Sequence, residues 1–119
     1  GNPNTLCVTN KSMIECWSLL LFYFHINYGE VLEKGITNVR HAIKHNGNVA
    51  KSLSKRYLSI KLLEGDPEIE RFIQTLSGSE TIIEERDRNV VQIEELLLED
   101  SETAFTNARY GFISLHILL

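Results

Sequence analysis

Four residues near the middle of the chain, Glu64-Gly65-Asp66-Pro67, force one helix to end and another to begin within a single turn. Glycine accepts the left-handed backbone that closes a helix, aspartate can accept the free N–H groups at the start of the next, and proline suits a first helical turn where no N–H partner is needed. A corner of this kind leaves its two flanking segments little choice but to be helices folded against each other. The apolar residues on both sides agree. Leu53, Tyr57, Ile60 and Leu63 recur at helical spacing before it, and Ile69, Phe72, Ile73 and Leu76 after it, so helices are predicted over about 50–64 and about 67–77.

The same spacing extends the pattern in both directions. Leu32, Ile36, Val39 and Ile43 define an earlier amphipathic helix, with Lys34, Arg40 and Lys44 turned elsewhere, which Asn46-Gly47-Asn48 stops. After Ser77-Gly78, Ser79 can cap a fourth helix that runs to about Glu99, with Ile83, Val90, Ile93 and Leu97 inward and Glu84, Glu85, Asp87, Arg88, Glu94 and Glu95 outward. Asp100-Ser101 opens a fifth, with Phe105, Ala108, Phe112 and Leu115 on one side and the acids Asp100 and Glu102 at its dipole-positive start. Short loops make consecutive helices antiparallel, so the expected fold is an all-α, small antiparallel bundle of about five helices over residues 28–119. Residues 1–27 form a separate N-terminal stub. Their apolar run WSLLLFYFHI, residues 17–26, is about half the roughly 20 residues that cross a bilayer as a helix, and periodicity alone does not decide between a buried strand and a short buried helix.

Composition narrows the function classes. A chain of 119 residues, 43% hydrophobic and 24% charged, closes one core and has no material for a second full domain. Cys7 and Cys16 do not make a disulfide framework or a zinc site, which points to a reducing, cytosolic setting. The net charge of −4 divides unevenly, residues 1–59 carrying +4 and residues 60–119 carrying −8. A basic front half could meet nucleic acid or an anionic membrane; the acidic back half would repel both.

Candidate chemistry is sparse. His41 and His45 stand four apart on the first helix, a spacing at which two imidazoles can share a metal, but no acid makes the set His-Glu-x-x-His. His25 and His116 join nothing nearby, and neither cysteine has an activating neighbour. Lys51, Lys55, Arg56 and Lys61, with Tyr57 among them, form the one basic cluster; without a recognition-helix signature or overall basic character it argues weakly for phosphate binding, and nucleic acid is the lesser reading. Gly1-Asn2-Pro3-Asn4 opens like a phosphate loop, yet Leu6 and Cys7 occupy the Gly-Lys positions and Lys11-Ser12 comes too late to reach a nucleotide. No catalytic, cofactor-binding or metal-ligating residue is assigned, and no cofactor is expected.

Three stretches carry a resemblance. Tyr28-Gly29-Glu30, Arg56-Tyr57-Leu58-Ser59-Ile60-Lys61-Leu62-Leu63-Glu64-Gly65-Asp66 and Ala108-Arg109-Tyr110-Gly111-Phe112-Ile113 occur in the order found in the cytosolic helical domain of the ferrous iron transport protein B (FeoB) family, which the chain resembles from Tyr28 to its end. In that family a GTP-binding domain comes first, the helical domain packs on it and favours the GDP-bound state, and a membrane-spanning ferrous iron permease follows. Gly1-Asn2-Pro3-Asn4 looks like the first residues of that family's phosphate loop, without its continuation. The resemblance therefore implies a truncated member, a non-catalytic coupling domain that works with a GTP-binding domain and a permease on the cytosolic side of the inner membrane. The run 17–26 would then be a surface for the missing domain or for self-association. The rival class is a free-standing helical module whose basic first two helices contact nucleic acid or anionic membrane.

Overall fold

A computed structural model describes residues 26–117, with side chains through residue 112. Five helices follow one another: α1 (Glu30–Asn46), α2 (Lys55–Glu64), α3 (Pro67–Gln74), α4 (Ser79–Leu97) and α5 (Ser101–Ile117). No strand occurs among the described residues, so the all-α expectation holds there. Both cysteines, His25, the Gly1–Asn4 stretch and all of the 17–26 run except Ile26 lie outside the described residues.

The two long helices α1 and α4 pack side by side, and the short α2 touches each of the other four. That central position explains its composition. Tyr57, Leu58, Ile60, Leu62 and Leu63 are all buried, so apolar side chains cover more than one face, and the single stripe predicted for this helix is too narrow. α2 also begins at Lys55 rather than near residue 50. The Ser54 hydroxyl accepts the Tyr57 N–H at 3.0 Å and caps the first turn, while the Leu53 N–H closes a preceding turn onto the Ala50 carbonyl.

The corner at 64–67 forms as its residues dictate. Gly65 takes a φ of 81°, the Gly65 and Asp66 N–H groups donate to the Leu62 and Lys61 carbonyls, and Asp66 Oδ1 accepts from Glu68 and Ile69. α3 ends at Gln74, earlier than predicted, with Thr75 at its close. At the next corner Gly78, with φ 74°, precedes the first residue of α4, so Ser79 is the first helical residue and not the cap. The side chains of Asn46 and Asn48 both donate to the Ser77 carbonyl and fasten the end of α1 to this corner.

The α1 stripe is buried as predicted, from Leu32 through Ile43. α4 is rotated from its predicted phase. Its inward residues are Ile82, Arg86, Asn89 and Ile93, whereas Ile83 and Val90 are partly buried and Leu97 is exposed. Two polar residues occupy the centre of the helix's buried face, so its apolar residues alone point in the wrong direction. Asn89 accepts from Asn38 at 2.9 Å and donates to the Glu85 carbonyl at 2.7 Å. On α5, Ala104 and Phe105 are buried, and Ala108 and Phe112 pack against the core.

α4 closes on Leu98, the one non-glycine residue with positive φ among those described, at 56°. A left-handed backbone costs a side chain about 1–2 kcal/mol, and Leu98 is 88% exposed, so packing returns little of it. Allowing for the greater unfolded-chain freedom of glycine, Leu98→Gly should stabilise the helical unit by about 0.5–1 kcal/mol, read as a higher melting temperature. A lower one would show that the leucine side chain is needed by the fold.

Candidate functional site

The three stretches quoted above meet at one place, around Tyr28. The chain arrives through Asn27, whose Oδ1 accepts the Gly29 N–H at 2.8 Å; Gly29, with φ 90°, then turns it into α1. From the first turns of α1, Glu33 reaches back and accepts the Tyr28 N–H at 3.0 Å. Arg56, in the first turn of α2, grips both Glu33 carboxylate oxygens at 2.8 Å and also donates to the Ile26 carbonyl at 2.8 Å. One guanidinium thus ties the arriving backbone to α1 and α2 in a planar, bidentate pair.

The Tyr28 ring lies between two such groups. The Arg56 guanidinium carbon is 5.9 Å from its centroid and that of Arg109, on α5, is 5.8 Å away. The Phe105 ring meets it edge-on at 5.1 Å, and Arg109 Nε donates to the Tyr28 hydroxyl at 3.3 Å. Arg109 also pairs with Glu64 at the end of α2, which Lys61 joins at 3.4 Å. Only 5% of Tyr28 is exposed, so each cation stacks on a face largely removed from water, where such contacts contribute about 0.5–2 kcal/mol.

Burial alone would raise the Glu33 carboxyl, but the hydrogen bonds from Arg56 and from the Tyr28 N–H, with the charges of Arg56 and Arg40, outweigh it and hold the group below the usual carboxylate range. The Arg56 guanidinium is shifted upward, chiefly by its bonds to Glu33 and against the effect of burial. Because Glu33 ionises more readily in the folded state, the unfolded chain binds the extra proton once pH falls below about 4.3. The pair's contribution is complete above that pH and is lost as pH falls through the depressed folded value. Glu33→Gln should therefore flatten the acid limb of stability, measured as urea midpoints between about pH 3 and 6. An acid limb as steep as that of the parent would remove Glu33 from this role.

Nothing in this cluster is a nucleophile placed against a base. It can hold geometry: one aromatic ring and two guanidinium groups connect the arriving segment with α1, both ends of α2, and α5.

The other sequence candidates fare differently. His41 and His45 are exposed on α1 and line an open surface groove with Asn38, Ala42, Lys44 and Glu85; among the described residues no three or more His, Cys, Asp or Glu side chains gather as metal ligands would. Arg56 and Lys61 of the basic cluster are engaged with Glu33 and Glu64, and Lys61 lies 5.9 Å from the Tyr57 ring, while Lys51 is exposed. The His116 side chain lies outside those described. Among the described residues, no helix is long and apolar enough to cross a membrane.

Sequence reasoning overlooked Arg86. It is buried on α4 and donates to the Leu62 carbonyl at 3.0 Å, to Glu70 at 2.6 Å and to Asp87 at 2.7 Å. A signal was available: Arg86 stands at helical spacing between Ile82 and Ile93, two isoleucines on the same helical face.

Comparison with known proteins gives one family. The model of the FeoB cytosolic helical domain matches residues 28–116. A curated relative, the Fe(2+) transport protein A/Fe(2+) transporter FeoB fusion protein of Porphyromonas gingivalis (strain ATCC BAA-308 / W83), is 36% identical over 91 residues, which is 75% of this chain and 11% of that protein. The chain thus spans about a tenth of the length of the relative it matches. No solved structure matches it.

Proposed function

The chain belongs to the FeoB cytosolic helical domain family, part of the ferrous iron transporter family, through residues 28–116, and from that membership we propose that it acts as a non-catalytic coupling domain between a GTP-binding domain and a membrane permease. One observation carries the reading. Tyr28, where the chain enters the helical unit, is held between Arg56 of α2 and Arg109 of α5. A displacement of the arriving segment is therefore passed to the last helix through stacked, charge-assisted contacts across a packed unit, and such units shift between discrete arrangements more readily than they deform. In the whole protein the GTP-binding domain would act on the Tyr28 side, the permease would respond beyond α5, and the unit would lie in the cytosol.

Two measurements test this. Titration of the chain with GTP and GDP analogues by calorimetry should give no binding heat; micromolar affinity would overturn the non-catalytic assignment. In the P. gingivalis fusion protein, replacing the matched stretch with residues 28–116 of this chain should preserve ferrous iron uptake. Introducing Arg109→Ala into that graft should lower uptake while GTP hydrolysis, the sign that the neighbouring domain is folded, persists. Undiminished uptake would mean that the Tyr28 contacts carry no signal.

A further inference from the structure

The far end of α4 presents an apolar tip that the bundle does not use. Leu96 is 60% exposed and Leu98 is 88% exposed, with Leu97 and Val91 also open to solvent. Leu96 continues inward into a small groove between α1 and α4, where Val31, Gly35 and Ile93 form the apolar part of the lining and Glu30, Lys34, Asn89 and Gln92 the polar part. A Cβ at Gly35 would stand 3.0 Å from the tip of the Ile93 side chain, a tight contact, so the two helices approach closely behind the groove.

Two further features point to a bound partner. Glycine fills the other positive-φ positions, Gly47, Gly65 and Gly78 among them, whereas here the left-handed backbone is kept on a leucine whose side chain is almost wholly in water. The tip is also acidic: residues 89–108 include Glu94, Glu95, Glu99, Asp100 and Glu102 and no lysine or arginine. An acidic rim around exposed leucines repels anionic lipid and nucleic acid and complements a basic protein segment.

We infer that the end of α4 is a docking surface for a basic amphipathic helix of another protein, with Leu96 and Leu98 as apolar anchors and Glu95, Glu99 and Asp100 as the acidic rim. The partner lays one apolar stripe along the Leu96 groove and presents lysine or arginine on the flank that faces Glu95, Glu99 and Asp100, away from Lys34 on the α1 side. This goes beyond the coupling reading and concerns a surface separate from Tyr28, so either can fail alone.

The experiment follows the backbone amide signals of the isotopically labelled chain during titration with three probes: a synthetic amphipathic peptide of leucine and lysine, its counterpart with glutamate for lysine, and phosphatidylglycerol vesicles. The leucine–lysine peptide should shift signals from Leu96 to Asp100 saturably, and the other two probes should not. L96S/L98S should weaken binding by at least about tenfold, and Glu95→Lys should weaken it as well. Because Glu95, Leu96 and Leu98 are exposed, an unchanged helical circular dichroism signal is expected for both variants, and Leu98→Ser alone serves if the first does not fold. Equal affinity for the parent and L96S/L98S would reduce the contact to charge and overturn the inference. Shifts confined to other faces, or a concentration-dependent association that L96S/L98S abolishes, would overturn it as well, the latter assigning the face to a second copy.

Discussion

Arg86→Ala is expected to destabilise the helical unit by about 3–5 kcal/mol, the usual consequence of deleting one member of a buried charged network. Arg86 is 8% exposed and serves three acceptors. Its Nη1 donates to the Leu62 carbonyl in the last turn of α2, a group that otherwise receives only the Gly65 N–H among the bonds described at that corner; Nη2 pairs with Glu70 on α3. It therefore joins α2, α3 and α4 around the corner at Gly65. Burial would depress its pKa, but the bonds and charges of Glu70 and Asp87 outweigh burial, and the guanidinium stays charged. Asp87 is well exposed, so that bond adds little. The loss on truncation comes from the Leu62 carbonyl, the stranded Glu70 carboxylate and the emptied space of the side-chain stem.

For a unit of this size 3 kcal/mol is a large share of total stability and should lower the melting temperature by more than about 10 °C. Arg86→Met keeps the stem and should fall between parent and alanine. Glu70→Gln, on a partly exposed partner, should cost less than about 1 kcal/mol. A loss below about 1 kcal/mol for Arg86→Ala, by urea denaturation, would show that water replaces the guanidinium without penalty and that the network is incidental.

Arg86 also marks the boundary of what the sequence discloses. The Glu64–Pro67 corner was legible because glycine, aspartate and proline act through their own backbone and nearest N–H groups, which do not depend on the rest of the chain. The α1 stripe was legible because each of its inward positions is apolar. α4 was mis-phased because two inward positions are Arg86 and Asn89, whose burial depends on partners in α1, α2 and α3 that periodicity does not register. α2 was given one stripe too few and a start too early, since its central place makes several faces apolar and its cap is the inconspicuous Ser54. The Tyr28 cluster was half legible. All three of its stretches were visible as a family resemblance, but the contact between Tyr28 and Arg109 spans 81 positions and has no local pattern.

Tyr28→Ala should cost about 3 kcal/mol, as expected when a buried aromatic ring is deleted. It should also produce an effect that a purely structural residue would not. Without the ring, Arg56 keeps Glu33 and the Ile26 carbonyl, and Arg109 keeps Glu64, so each cation retains its ion pair while the link between them disappears. Amide exchange should accordingly quicken at the start of α1 and along α5 near Arg109, with little change in α3, which does not touch the cluster. Tyr28→Phe retains the ring and both stacking contacts and gives up the long bond from Arg109 at 3.3 Å, so its cost should stay below about 1 kcal/mol and its exchange pattern should match the parent. If α5 exchanges no faster in Tyr28→Ala, or if the phenylalanine variant loses as much stability as the alanine one, the ring does not join the arriving segment to the last helix. The coupling route through Tyr28 would then have to be given up, even with the family membership intact.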